Sequence, residues 1–218
     1  MLTATLIGCA ANWGASIDRA FQADRANGAN LMTITGGHQI DALCYCLGEF
    51  REIAAFAVSQ RDHIALAGTG EMVALTSPDQ LAVSGIVGDG AVVSFQIRGG
   101  MARGTKFLFE IHGDAGDLVL AATARTSMQR QELTVHGARG KGGALAALPI
   151  PAKYRWVPDG MSAESPYNVA QLYVKLAESI RGGTPASPGF DAAVTRHRLL
   201  DAIWRASETG QKQTMSAR

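Results

Sequence analysis

Charge is scarce in this chain. Asp, Glu, Lys and Arg make up 18% of its 218 residues and leave a formal net charge of +1. Lys and Arg are scattered, with no basic stripe and no interleaved aromatics, so the footprint of a nucleic-acid or anionic-membrane surface is missing. Cysteine is nearly as sparse. Cys9, Cys44 and Cys46 form an odd set that makes no disulfide framework and suits a reducing compartment. Cys44 and Cys46 lie two apart on a predicted helix, so they point in different directions and do not share a metal. Both are read as small apolar fillers. No apolar run approaches the roughly 20 residues of a membrane span. Leu6-Ile7-Gly8-Cys9 has the look of a lipoprotein cleavage box, but no basic residue precedes it and the apolar stretch is too short for a signal. A buried strand is the better reading there, and a cytoplasmic location is expected.

What is present is aliphatic and patterned. Apolar residues reach 47% of the chain, which suits a globular core. Thr3 to Ala11 reads as a buried strand, and Asn12 to Asn27 as polar and irregular. From Ile53 to Val157 β-type alternation dominates. Leu81, Val83, Gly85 and Val87 lead into Gly88-Asp89-Gly90, and Val93, Phe95 and Ile97 return on one face. Phe107, Phe109 and Ile111 form a second hairpin through Gly113–Asp117, with Leu118 to Leu120 returning. Such short turns demand antiparallel pairing. Two helices close the chain. One begins near Ser165-Pro166, is expected to bury Val169, Leu172, Leu176 and Ile180, and stops at Gly182-Gly183. The other starts near Asp191, is expected to bury Val194, Leu199, Ile203 and Trp204, and stops at Gly210. The pattern implies one α+β domain over 1–218, an open and largely antiparallel sheet with helices packed on one face.

Most chemical motifs are missing. No G-x-G-x-x-G turn follows the first strand, so the dinucleotide site of a Rossmann domain is not encoded here. The glycine-rich run Gly137 to Gly143, with Lys141, has no helix after it and reads as a hairpin loop. His63, His112, His136 and His197 show no metal-ligand spacing, although His112 and His136 on separate strands could meet in space. No serine or cysteine has an activating context.

The informative segment is Gly28–Glu49, GANLMTITGGHQIDALCYCLGE. Ile40, Leu43, Cys44 and Leu47 recur at helical spacing and mark a buried face, and Gly48 is suited to ending the helix. His38 stands at its entrance with Thr33, Thr35, Gly36 and Gly37 before it. Asp41, three residues on, is placed to orient the imidazole or stabilise its charge. His38, Thr35 and Asp41 are therefore the candidate site. The same residues also suit an ordinary helix entry with a favourable first-turn acid.

This run resembles the signature of the Gfo/Idh/MocA oxidoreductases, in which a G-G-x-L-x-D-x-G-x-H-x-I-D segment precedes a helix ending in L-L-G. Phe109-Glu110-Ile111-His112-Gly113-Asp114-Ala115-Gly116 is similar to the family's F-x-I-x-G-x-x-G strand and turn. Leu176 through Ile180-Arg181-Gly182-Gly183-Thr184-Pro185 to Ser207-Glu208-Thr209-Gly210 looks like its closing helices. The form of the signature is closest to the branch containing the fungal galactose-regulon repressor. The resemblance covers only the family's C-terminal domain. It implies a substrate-binding and oligomerisation domain whose full-length relatives use NAD or NADP, with no cofactor bound by this chain alone. It further implies a sugar-like or polyol ligand, a Rossmann domain supplied in cis or in trans, and self-association through the open sheet face. His38 falls at the family's catalytic histidine and Asp41 at the acid that follows it. The family's catalytic aspartate falls at Ile34, which cannot ionise, so the Lys–Asp–His proton-transfer set is broken. The resemblance thus also admits a non-catalytic, sugar-sensing or repressor-like protein and a free-standing self-assembly domain.

Overall fold

Alternation becomes strands where one side of each segment is apolar. The computed structural model describes residues 1–10, 16–100, 103–126, 128–140, 142–158, 160–161, 165–185 and 188–215. In β5 (Gln80–Val87) Leu81, Val83 and Val87 are buried, and in β6 (Ala91–Gly99) Ala91, Val93, Phe95 and Ile97 are. The turn between them needs backbone that glycine adopts freely, with φ of 50° at Gly88 and 116° at Gly90. The second hairpin pairs β7 (Phe107–Gly113) with β8 (Gly116–Ala122) in antiparallel register, Phe109 opposite Leu120.

The first strand, β1 (Leu2–Ala10), joins the two hairpins. It runs parallel to β6, with Leu6 opposite Phe95, and antiparallel to β7, with Leu6 also opposite Phe109. The Leu6–Cys9 box therefore lies at the centre of the sheet. The remaining strands are β2 (Phe50–Val58), β9 (Thr134–Arg139), β10 (Ala146–Ala147) and β11 (Gln213–Thr214), and the order is β10-β9-β8-β7-β1-β6-β5-β2-β11. Among the described strands of this sheet only β1 and β6 pair in parallel, so the sheet is largely antiparallel as the short turns require. A small separate hairpin pairs β3 (His63–Ala65) with β4 (Met72–Ala74).

Two helices cover one face. α1 (Gly37–Leu47) buries Ile40, Leu43 and Cys44, and α3 (Phe190–Thr209) buries Leu199, Leu200, Ala202, Ile203 and Ala206. They close a single large cluster with Leu6, Phe95, Phe107 and Phe109. The opposite face is open. Across it Phe56, Ala82, Gln96, Ile7 and Leu108 stand in one row, and Ala54, Ser84, Ser94 and Thr5 in the next.

Several expectations are corrected. The helix α2 (Ser165–Gly182) has the expected limits, yet its stripe is not buried: Val169, Leu172, Leu176 and Ile180 are all exposed. Periodicity reveals an apolar face but not what covers it, and here α2 rests by its first turns on the Met128–Arg130 segment, with Asn168 donating to the Gln129 carbonyl. Val194 is exposed as well, because burial along α3 begins at Leu199. Within the β-rich segment expected to reach Val157, strand structure ends at Ala147, and Ala152–Tyr154 is a 3-10 turn rather than β. Within the segment read as irregular, Ile17–Ala23 and Arg25–Asn27 are 3-10 helices, the second capped by the Asp24 carboxylate accepting from Ala26 N–H. Ala11, the expected last residue of the first strand, lies outside the described residues.

Candidate functional site

The helix that carries His38 begins a turn earlier than its glycines suggest. Asn30 caps it: its side-chain oxygen accepts from the Met32 and Thr33 amides at 3.0 and 3.2 Å. The Thr33 hydroxyl accepts from the Asn30 amide in return, at 2.9 Å. This is the reciprocal arrangement of a capping box. The first turn, Met32–Gly36, is a π-helix, with the Gly36 amide donating to the Leu31 carbonyl at 2.8 Å. One residue is thus squeezed into a turn, a distortion that recurs at functional sites. Gly36 and Gly37 are helix interior, not an entrance. A Cβ on Gly36 would sit 3.1 Å from a Leu81 methyl, so glycine here lets the helix approach the sheet.

His38 is exposed and faces a groove of about 820 Å³ between α1 and the start of α3. Thr33, Ile34, Gly37 and Asp41 line its α1 wall, and Phe190, Ala193, Arg196, His197 and Leu200 its α3 wall. His38 and Asp41 are therefore brought to one place. Thr35 is half-buried and is not part of that lining. Ile34 does line it, so an aliphatic side chain stands one helical turn before His38.

Asp41 does not orient His38. It accepts from Arg196 Nε at 3.0 Å. The same guanidinium donates to both carboxylate oxygens of Glu49, at 3.1 and 3.0 Å, and to Cys44 Sγ at 2.9 Å. The Arg196 side chain is only 11% exposed, and such a fork suits two carboxylates held at fixed angles. Burial alone would lower the Arg196 pKa, but its partners Cys44, Glu49 and Asp41 more than offset this and raise it. Burial pushes the Cys44 thiol up to about 12 despite the nearby guanidinium. Cys44 is thus a buried filler as expected, whereas Cys46 is exposed on the outer side of α1. Reading the sequence alone missed Arg196, and weighed His197 only as a metal ligand. They come from a helix about 155 residues downstream of Asp41, and no local spacing announces such a meeting.

The other candidates stay apart. His112 on β7 faces Asp117, with Nδ1 and Oδ1 3.1 Å apart. His136 on β9 stands opposite Val119, so β8 lies between the two histidines. Among the described residues no group of three or more His, Cys, Asp or Glu is placed to hold a metal. The glycine-rich run read as a hairpin loop begins inside β9, where Gly137 pairs with Ala146 of antiparallel β10; its later part follows β9, and its Lys141 lies outside the described residues. Among the described residues no helix is long and apolar enough to cross a membrane.

The family model for the Gal80p C-terminal domain matches residues 1–122. The chain belongs to the Gal80p C-terminal-domain-like family. The Gfo/Idh/MocA-type resemblance and its restriction to the C-terminal domain hold with it. Among curated proteins, Dehydrogenase aclE of Aspergillus oryzae is 27% identical over 210 residues, covering 89% of this chain and 50% of that protein. The chain thus spans about half the length of the curated relative it matches. Among solved structures, the transcriptional regulator Gal80p from Kluyveromyces lactis superposes with a TM-score of 0.78 at 20% identity, over 97% of this chain and 52% of that one. Levoglucosan dehydrogenase in complex with NADH and L-sorbose superposes with a TM-score of 0.75 at 18% identity, over 99% of this chain and 58% of that one. At such identities the superpositions establish the fold, and this fold is shared by a dehydrogenase and a regulator.

Proposed function

We propose that this Gal80p-like domain is the substrate-side half of a Gfo/Idh/MocA-type oxidoreductase. The groove between α1 and α3 holds a small hydroxylated molecule, and sugars and polyols are the first class to consider because a structural neighbour is complexed with L-sorbose. His38 stands beside the ligand hydroxyl as hydrogen-bond partner and acid/base. A nicotinamide-bearing Rossmann-type domain, in cis or in trans, docks against the exposed apolar faces of α2 and the start of α3 and closes the groove. The chain alone carries out no hydride transfer. The open sheet face serves self-association.

The observation that carries this reading is the position of His38. It is an exposed imidazole on a packed helix, opening on the groove between α1 and the start of α3, beside apolar helix surface that the domain leaves uncovered. A second reading rests on Ile34. With no carboxylate one turn before His38, the groove suits a ligand sensor without catalysis, in keeping with the likeness to the regulator Gal80p. The test is a thermal-shift panel of hydroxylated compounds, from free sugars to alcohols on apolar rings, on the chain and its His38→Ala variant. Ligand-induced stabilisation is expected in the parent and is expected to vanish in the variant, with the ligand-free melting temperature unchanged. Stabilisation that survives His38→Ala would place the ligand elsewhere and overturn the proposal. Titration with NADH and NADPH is expected to give no binding to the chain alone, and micromolar affinity would contradict the division of labour between two domains.

A further inference from the structure

Beside His38, the groove between α1 and the start of α3 is lined by four side chains that carry or can carry charge: Asp41 on α1, and Asp191, Arg196 and His197 on α3. Asp41 shares a helix with His38. Three residues apart, their Cβ atoms stand about 5–6 Å from each other, within reach of a direct carboxylate–imidazole contact. That contact is not made. Among the described residues His38 has no hydrogen-bond or ion-pair partner, and Asp41 Oδ1 accepts from Arg196 Nε at 3.0 Å instead. The Asp41 side chain is 56% exposed and its second oxygen accepts no hydrogen bond among the described residues, so this one bond sets the direction of the carboxylate.

Arg196 has little freedom of its own. Its other nitrogens donate to both Glu49 oxygens and to Cys44 Sγ. These acceptors belong to α1 and to the residue just before β2, so one guanidinium from α3 fixes the whole corner. The partner that Asp41 takes decides what His38 can do. A carboxylate on an imidazole occupies one ring nitrogen and favours the imidazolium form. An imidazolium does not take a proton from a ligand hydroxyl.

We infer that Arg196 is a positioning residue for His38: by holding the Asp41 carboxylate against α3, it keeps that carboxylate off the imidazole and leaves His38 to act as acid/base on the molecule in the groove. The role given to His38 rests on the substrate-side reading above, whereas the hold on Asp41 is tested without any ligand. A thermal-shift panel in which nothing binds would sink that reading and leave the results below as they are.

The experiment titrates His38 by NMR, with the imidazole Cε1 labelled, in the parent, Asp41→Asn, Arg196→Gln and the double variant. Losing Asp41 removes a negative charge and lowers the His38 midpoint in either background. With Arg196 holding the carboxylate, the fall is expected to be at most about 0.1 pH unit. In the Arg196→Gln background the released carboxylate turns to the imidazole, and the fall is expected to be at least about 0.3 pH unit. His63, His112 and His136 lie outside the groove and are expected to keep their midpoints in all four proteins. Equal falls in the two backgrounds would mean that Arg196 acts on His38 through its charge or through stability alone, and would overturn the inference. A second measurement needs no change at Arg196. In the parent, the Asp41 carboxyl carbon is expected to titrate in step with the Arg196 Nε–H signal and to show no inflection at the His38 midpoint. An inflection there, as large as the one at its own midpoint, would show the carboxylate paired with His38 and would equally overturn the inference.

Discussion

Cys44 shows what a single position can carry. Its place in the buried stripe of α1 is legible from spacing alone, because Ile40, Leu43 and Cys44 recur with the helical period. Its partner is not legible, since Arg196 reaches it from α3. Burial has a measurable consequence at this residue. The thiol ordinarily ionises near 9.0 and is pushed up to about 12 in the fold, chiefly by desolvation. Folding therefore favours the protonated form. Its contribution is complete below pH 9, and declines as pH rises from 9 toward 12, by at most about 1.4 kcal/mol per pH unit for one proton. Urea titrations at pH 8, 10 and 11 are expected to show stability falling across that window, with a shallower fall in Cys44→Ala. A parallel fall in both proteins would remove Cys44 as the cause. Asp41 teaches the complementary lesson. Three residues after a histidine, it was a natural orienting acid, yet a guanidinium outside the local sequence captured it.

At the scale of elements, what was legible divides by whether an element's partner is close in sequence. The β5–β6 and β7–β8 hairpins were readable down to their turns because each strand's neighbour follows within a few residues. The parallel pairing of β1 with β6 was not, since β1 must meet a strand more than eighty positions away, and nothing in nine residues names that partner. The two terminal helices make the same contrast. Both have apolar periodicity, but α3 packs on β2 and the core while α2 leaves Leu172, Tyr173, Leu176 and Ile180 to solvent. A helix without a buried face draws little stability from tertiary packing. Leu176→Ala is accordingly expected to change the unfolding free energy of the chain by less than about 0.5 kcal/mol, the scale of an ordinary surface substitution. Ile203→Ala, which empties a fully buried site on α3, is expected to cost about 2–5 kcal/mol. Chemical denaturation of the two variants side by side checks the contrast. A cost at Leu176 comparable to that at Ile203 would mean that α2 is buried in solution by a contact this chain forms with itself.

For the whole molecule, the arrangement of the sheet decides how copies of the chain can meet. Edge-to-edge growth is discouraged at both ends. The outermost strands β10 and β11 are two residues long, and very short edges are a common defence against added strands. Where β11 leaves β2 uncovered, the Ser207 hydroxyl accepts from the Ala57 amide at 2.8 Å and donates to the Ala57 carbonyl at 3.4 Å, occupying that stretch of edge. The open face has no such protection. Its central row is Ala54, Ser84, Ser94 and Thr5, small side chains that let a second sheet approach to about 10 Å. Phe56, Ile7 and Val92 stand around them at 70%, 42% and 55% exposure. A face of small side chains flanked by exposed large apolar ones, on an otherwise weakly charged molecule, favours face-to-face pairing about a twofold axis. Sedimentation equilibrium is expected to give a dimer or a higher even oligomer. Phe56→Asp, which places a charge in that face without touching the helix-covered core, is expected to shift the population to monomer with the circular dichroism melt preserved. Edge pairing would respond instead to Ser207→Ala, which exposes the Ala57 backbone and leaves the open face intact. A parent protein that sediments as monomer at all concentrations would assign the open face to a different covering.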